Sequence, residues 1–181
     1  FRDGEIPSIQ PPDAAINYMS HWIKSKTSGR KIITITLREC HSEQDRNSNL
    51  NEWAKFVNYL DKSIYYVVII RDIEKAFEKL PPAFQGCDIF NEAIWNLELR
   101  SALYQLSSLN LFVNNGPALL CRLNKNTRYI IFKIHTSTCA ATTKDYLYHM
   151  GIYPDFSVYP ENKFQKVVWL DDNFESIKNE F

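Results

Sequence analysis

An arginine follows the first β-branched run of the sequence and could bind an anion. Lys31–Arg38 (KIITITLR) is almost wholly apolar or threonine, which is typical of a buried strand. A guanidinium group at such a strand end costs desolvation free energy unless it pairs with an anion, and its planar fork matches phosphate or carboxylate. A ligand anion is one explanation of Arg38. The other is an ion pair with one of the acids that follow it, Glu39, Glu43 or Asp45.

The loop after this strand offers two further polar side chains, Arg46 and Asn47. Both could contact the ligand that Arg38 would bind, since loops at the carboxyl ends of strands surround the ligands of open α/β sheets. A loop that is simply solvated explains them more economically.

A turn with the sequence Asn114-Asn115-Gly116-Pro117 is the second candidate for anion binding. It follows the apolar run Asn110–Asn114, and Gly116 can adopt an unusual backbone angle. Pro117 suits the first position of a helix, whose free N–H groups would favour a phosphate or carboxylate. A plain strand–turn–helix connection is the alternative, with asparagine and glycine serving the turn geometry alone.

The second buried run, Tyr65–Arg71 (YYVVIIR), is followed by Asp72. That carboxylate could cap the next helix, or it could hydrogen-bond the base or ribose of a nucleotide. A weaker hypothesis pairs Asp72 with His135 as the acid–base groups of a hydrolase or phosphatase-like enzyme, although an ordinary structural histidine explains His135 better.

Several functional classes are disfavoured by what the sequence lacks. It contains no P-loop, no G-x-G-x-x-G fingerprint and no G-x-S-x-G elbow, and its five glycines are not clustered. Its four cysteines never occur at C-x-x-C spacing, which disfavours a zinc site. Two disulfides are one interpretation, and scattered reduced thiols in a cytoplasmic protein are the preferred one. We expect no metal and no cofactor. The balance of 21 basic and 21 acidic residues indicates no nucleic-acid partner, and no apolar run approaches the roughly 20 residues of a transmembrane segment.

Strand-like runs alternate with amphipathic helical patterns along the chain. Further strands are predicted at 110–114 and 128–134, with a last extended segment at 163–169. Parallel strands need crossover connections, so this rhythm predicts an α/β fold, a Rossmann-like doubly wound parallel sheet with helices on both faces. Residues 1–30 are expected to form an N-terminal connector helix, and residues 31–181 a single Rossmann-like domain.

The helical patterns also make local predictions that the structure can test. A short helix is expected at 72–80 and one continuous helix at 91–109. Asn49 with Glu52 resembles a capping box, and Asp172 is a candidate cap for the last helix.

The order of these segments resembles the carboxy-terminal, nucleotide-sugar-binding half of GT-B glycosyltransferases, with the fucosyltransferase-like branch as the nearest. Heptosyltransferase-like enzymes have a similar Gly-Pro turn at the place of Gly116-Pro117. The resemblance covers about residues 30–135 and the segment at 165–169. Thr36-Leu37-Arg38-Glu39 corresponds to an H-x-R-R-x-D-like motif whose first arginine holds the donor diphosphate. Thr36 stands at the histidine position and Glu39 at that of the second arginine. The Asn114–Pro117 turn corresponds to a small polar turn that also faces the diphosphate.

The resemblance implies a nucleoside-diphosphate sugar as ligand and an unidentified glycan or small molecule as acceptor. It implies that Arg38 is the main electrostatic contact in a metal-independent transfer, that the 114–117 turn is the second contact, and that Asp72 reaches the nucleoside. Residues 31–181 would then be the donor-binding domain. Whether the chain is an active enzyme stays open, because a non-catalytic Rossmann-like binding module or a degenerate relative fits the same pattern.

Overall fold

The computed structural model describes residues 8–154 and 163–181, and these build one parallel β-sheet. Its six strands are β1 Lys31–Thr36, β2 Tyr65–Ile70, β3 Asp88–Ile89, β4 Leu109–Val113, β5 Tyr129–Phe132 and β6 Gln165–Val167. They are ordered β3-β2-β1-β4-β5-β6, and every neighbouring pair is parallel. This is the strand order of a Rossmann-type sheet, which confirms the predicted fold class.

Helices cover both faces of the sheet. They are α1 Asp13–Thr27, α2 Leu50–Tyr59, α3 Glu92–Trp95, α4 Leu97–Leu106, α5 Ala118–Arg122, α6 Lys144–His149 and α7 Phe174–Glu180. Helices α1 and α4 pack on one face, over Val68 and Phe112, and helices α2 and α7 pack on the other, over Ile69 and Leu111. Because alternate side chains of the central strands enter different cores, these strands are mostly apolar on both faces, which made them recognisable in the sequence.

The order of the strands creates a crevice between β1 and β4. From β1 the chain proceeds outward to β2 and β3, and from β4 it proceeds the other way to β5 and β6. The loops that leave the carboxyl ends of β1 and β4 therefore diverge, and ligands of open α/β sheets bind at this switch point. Arg38 follows β1 and the 114–117 turn follows β4, so both candidate anion contacts border this crevice.

The first helix is an integral part of the core cluster that it joins. Ala15 and Met19 are buried on α1, and the Trp22 ring lies 5.1 Å from the ring of Phe90. A division of the chain into a connector at 1–30 and a domain from 31 onward stays a prediction, although α1 shares its core with α4.

Two predicted helices differ from the structure. The helix expected at 91–109 is broken at Asn96, whose extended backbone and side-chain bonds to the Glu98 and Leu99 amides start α4 afresh. The helix expected at 72–80 shrinks to a single 3-10 turn, Ile73–Lys75. The rest of that segment turns so that backbone carbonyls at 78 and 79 accept hydrogen bonds from Arg71.

Both predicted caps are wrong, and the residues involved tether distant elements. Asn49 makes no side-chain cap, while the carboxylate of Glu52 accepts the backbone N–H of Phe174 at 2.9 Å. Asp172 accepts the Asn49 N–H at 2.7 Å, and Asn173 caps α7 in its place. These bonds fasten the C-terminal segment to the start of α2. Within residues 8–154 and 163–181, no helix has the length and apolar character to cross a bilayer.

Candidate functional site

A cavity of about 360 Å³ lies over the switch point, at the carboxyl ends of β1, β2 and β4. Its wall contains the guanidinium-bearing side chains Arg38, Arg46, Arg71 and Arg100. The wall also includes Asp72 and the turn 115–117. Four guanidinium groups thus border one small space, and Asp72 in the wall together with the acidic partners of the arginines offsets part of their charge.

Arg38 and Arg46 share a single carboxylate, that of Glu43. Nη2 of Arg38 lies 3.2 Å and Nη1 of Arg46 lies 2.6 Å from Oε2 of Glu43. The ion pair that the sequence left as an alternative for Arg38 is therefore present, and the same guanidinium group lines the cavity. The Nε atom of Arg46 is buried without a hydrogen-bond partner in the part of the chain that the structure describes. The Glu43 carboxylate thus pairs with two guanidinium groups, and the Nε–H of Arg46 has no acceptor among the described residues.

Arg71 is fully occupied by internal partners. Its Nε and Nη2 atoms donate to the two oxygens of Glu39 at 2.8 and 2.5 Å, and Nη1 donates to the Glu78 and Lys79 carbonyls. The pair is buried, with the Arg71 side chain 3% and the Glu39 side chain 7% exposed. Glu39 raises the pKa of Arg71 further. This pair is a rigid part of the cavity wall.

Arg100 is the functional candidate that the sequence analysis missed. It lies on α4, is only 6% exposed, and donates through Nε to the Ala93 carbonyl. It has no carboxylate partner within the described ranges 8–154 and 163–181. A buried guanidinium group without a counterion is costly, because charges in protein interiors are normally paired. The signal in the sequence was an arginine among apolar helix positions, Leu99, Ala102 and Leu103.

The turn after β4 is less open to an anion than the sequence predicted. The Ala118 N–H donates to Oδ1 of Asn115, and the next two amides donate to the carbonyls of Gly116 and Pro117. Helix α5 has only five residues, so the expected helix tip with free amides is wrong. Asn114 lies behind the turn, where Nδ2 donates to the Ile134 carbonyl at 2.9 Å.

Neither the backbone angle nor the packing of the protein itself requires a glycine at position 116. Its φ lies outside the left-handed region, contrary to the sequence expectation, and a Cβ added there would meet no protein atom within 4 Å. Because Gly116 lines the cavity, that open space is available to a ligand that approaches the backbone closely.

A pair of glycine variants should separate these two roles. Gly116→Ala is expected to leave the melting temperature unchanged, because the new methyl group meets no neighbour. Gly29→Ala should destabilise the protein by about 1 kcal/mol, since Gly29 has φ +82 and alanine is strained there. Thermal unfolding followed by circular dichroism measures both. A loss of stability in Gly116→Ala equal to that in Gly29→Ala would contradict the assignment of Gly116 to open space.

Two solved structures share this architecture. The glycosyl transferase family 9 protein from Veillonella parvula aligns with a TM-score of 0.57 and 11% identity over 74% of this chain. E. coli ADP-heptose lps heptosyltransferase II aligns with a TM-score of 0.56 and 12% identity over 89%. This chain therefore has the Rossmann-like fold of one part of a heptosyltransferase-like GT-B structure. This chain spans 39% and 44% of the lengths of those two proteins. No family model and no curated protein matches it.

Within this GT-B-type fold, two of the remaining sequence candidates take structural roles. Asn47 lies outside the cavity wall and closes its own loop, because its amide both accepts the Cys40 N–H at 3.0 Å and donates to the Cys40 carbonyl at 2.7 Å. A ligand contact of Asn47 stays a prediction, and in the structure its amide is engaged with Cys40. Asp72 does line the cavity, and its carboxylate accepts the Glu39 N–H at 3.2 Å instead of capping the following turn.

The acid–base pair of the hydrolase hypothesis, Asp72 with His135, does not form in this cavity. Asp72 is in its wall, whereas the ring of His135 stacks on Trp169 with a centroid distance of 5.6 Å. The four cysteines are free thiols. Among residues 8–154 and 163–181, no group of three or more His, Cys, Asp or Glu side chains is arranged to hold a metal ion.

Proposed function

We propose that this chain binds the nucleoside diphosphate of a nucleotide sugar, as the donor-binding domain of a GT-B glycosyltransferase. The observation that carries the proposal is the cavity at the β1–β4 switch point, where Arg100 is buried without a carboxylate partner among the described residues. Arg38 and Arg46 add two further cations beside it. A diphosphate brings several negatively charged oxygens to one place, which matches three guanidinium groups around one space.

The transfer chemistry needs little more from this domain than positive charge. The bond between the sugar carbon and the diphosphate oxygen breaks, and negative charge grows on the leaving diphosphate. Fixed cations at that point stabilise the transition state, a role that Arg38 and Arg100 would fill with no metal ion. The acceptor is a glycan or small molecule whose nucleophilic oxygen takes the sugar.

An exposed apolar rim beside the cavity suits the nucleoside. Ile73 and Ile94 line the cavity, and their neighbours Phe77 and Trp95 place their rings 5.6 Å apart on the surface. Phe77 is 94% exposed, an unusual position for a large apolar side chain. A base that stacked on this pair would gain about 1–3 kcal/mol. The rim therefore favours a nucleotide over a plain phosphate ester, and Asp72, which lines the cavity, would contact the nucleoside.

A second candidate function, a non-catalytic binding module, is favoured by the carboxylate of Glu43. It already pairs with both Arg38 and Arg46, so the charges of two arginines that line the cavity are partly compensated. A relative that had kept the fold and lost donor binding would have its cations satisfied in this way.

Calorimetric titration of the chain with UDP, GDP, ADP and inorganic pyrophosphate decides between the two. At least one nucleoside diphosphate should bind and raise the melting temperature. Arg38→Ala should weaken that binding about tenfold, the value of one charged hydrogen bond. Lys178→Ala, which removes a cation from α7 outside the cavity, is the matched control and should change nothing. If none of the four ligands binds, the module function replaces donor binding.

A further inference from the structure

A second cavity, of about 510 Å³, lies at the opposite edge of the sheet from the cavity over the switch point. The first residues of β1, β4 and β5 line it, namely Lys31, Leu109 and Tyr129. Because the strands are all parallel, their amino ends meet at this edge and their carboxyl ends at the other. Small-molecule pockets have volumes of about 300–1,000 Å³, so the second cavity is large enough for a ligand of its own.

The charged side chains in the wall of the second cavity are mostly basic. They are Lys31, Arg128, Lys163 and Lys166, with Glu180 as the one acidic side chain among the described residues that line it. Glu180 pairs with Lys166. Within residues 8–154 and 163–181, no carboxylate forms an ion pair with Lys31, Arg128 or Lys163. An anion that entered this cavity would therefore meet three cations whose charge is not already compensated by a described carboxylate.

Two of these cations lie over one aromatic ring. Cζ of Arg128 is 4.4 Å and Nζ of Lys163 is 4.9 Å from the centroid of the Phe164 ring. Both distances are within the reach of a cation–π contact, about 6 Å. The two cations are no farther apart than the sum of these distances, so they repel each other, and an anion that contacted both would offset the repulsion. Phe164 thus holds two positive charges in the wall before any ligand binds.

The rest of the wall is largely apolar. Ile33 and Ile130 contribute aliphatic side chains from the strands, and the rings of Tyr65 and Phe181, which pack 5.4 Å apart, also line the cavity. A small hydrated ion gains nothing from such a surface, whereas a ligand with an apolar body buries that body against it. The combination of cations and apolar wall therefore favours an anion that carries an apolar group.

We propose that the second cavity binds an amphiphilic anion, a ligand with one acid group and an apolar body. The acid group contacts Arg128 and Lys163 beside the Phe164 ring, and the apolar body packs on the apolar part of the wall. This site is independent of donor binding, because the two cavities share no lining residue.

Calorimetric titration with 1-naphthalenesulfonate tests the proposal, because this probe joins a sulfonate to an aromatic body. It should bind about tenfold more tightly than inorganic sulfate, which lacks the body, and than uncharged 1-naphthalenemethanol, which lacks the acid group. Pyrophosphate, which is directed at the cavity over the switch point, should not displace it.

Variants of the two cations locate the probe. Arg128→Ala should weaken the binding of 1-naphthalenesulfonate about tenfold, since a hydrogen bond to a charged group contributes that much, and Lys163→Ala should weaken it in the same direction. Lys24→Ala removes an exposed cation from α1 that lines neither cavity, so this control should bind the probe as the unaltered chain does. All three side chains are exposed, and we expect the melting temperature to stay unchanged in each variant.

Several results would overturn the proposal. They are no binding of the sulfonate, equal binding of the uncharged alcohol, or an affinity that neither Arg128→Ala nor Lys163→Ala reduces. Displacement of the sulfonate by pyrophosphate would place the probe at the switch point and would also overturn it. Each of these results leaves the proposed function intact, because donor binding is measured with nucleoside diphosphates at the other edge of the sheet.

Discussion

Arg100→Met is expected to lose about 10- to 100-fold in affinity for nucleoside diphosphates, more than Arg38→Ala loses. Arg100 is 6% exposed and has no carboxylate partner in the described part of the chain, so its charge is available to the ligand. Arg38 shares Glu43 with Arg46, and a ligand gains from it only after that pair opens. Electrostatic contacts are also stronger where water is excluded.

Arg100→Lys distinguishes the charge from the shape of the side chain. Lysine keeps the cation and loses the planar fork, so the order of affinity should be arginine, lysine, methionine. The hydrogen bond from Arg100 to the Ala93 carbonyl is lost in both variants, so a change in melting temperature common to both is separate from ligand binding. If calorimetry shows that the Arg100→Met variant binds the nucleoside diphosphate as tightly as the unaltered chain, Arg100 is not part of the binding site.

The layered fold was predictable because each strand is covered on both faces. A strand with helices above and below buries side chains on both faces, which leaves runs dominated by apolar residues and threonine, such as those at 31–36 and 65–70. The position of Arg38 followed from the same reasoning, since all parallel strands present their carboxyl ends at one edge. The sequence could not choose between ligand and ion pair for Arg38, and in the structure the guanidinium group pairs with Glu43 and also lines the cavity.

The rest of the site depends on contacts that the sequence does not encode locally. Arg100 points from a helix and meets the cavity only because α4 packs across the sheet. Asn47 and Asn114 looked like ligand contacts, and each is consumed by a backbone group of a neighbouring segment, at Cys40 and Ile134. Side chains of asparagine bind backbone and ligand equally well, so their type alone does not decide between these roles.

Breaking the Glu39–Arg71 pair should cause the largest loss of stability among these variants. Glu39→Gln is expected to lower the free energy of unfolding by about 3–5 kcal/mol, because it leaves a buried guanidinium group uncompensated. Arginine does not deprotonate at any accessible pH, and the Arg71 side chain is only 3% exposed. Its charge can therefore be neither neutralised by loss of a proton nor solvated by water. Urea denaturation measures the change. Lys55→Met, which opens an exposed ion pair with Glu52, should cost no more than about 1 kcal/mol.

The double variant Glu39→Leu, Arg71→Met shows whether the pair serves folding or the cavity. Replacing both charges with apolar side chains should restore most of the stability, since a buried ion pair often contributes little net free energy over a hydrophobic pair. If Glu39→Gln instead lowers the free energy of unfolding by less than about 1 kcal/mol, the Arg71 charge is stabilised by another environment. The cavity that it lines is the nearest one, and Arg71 would then join Arg100 as a cation available to the ligand.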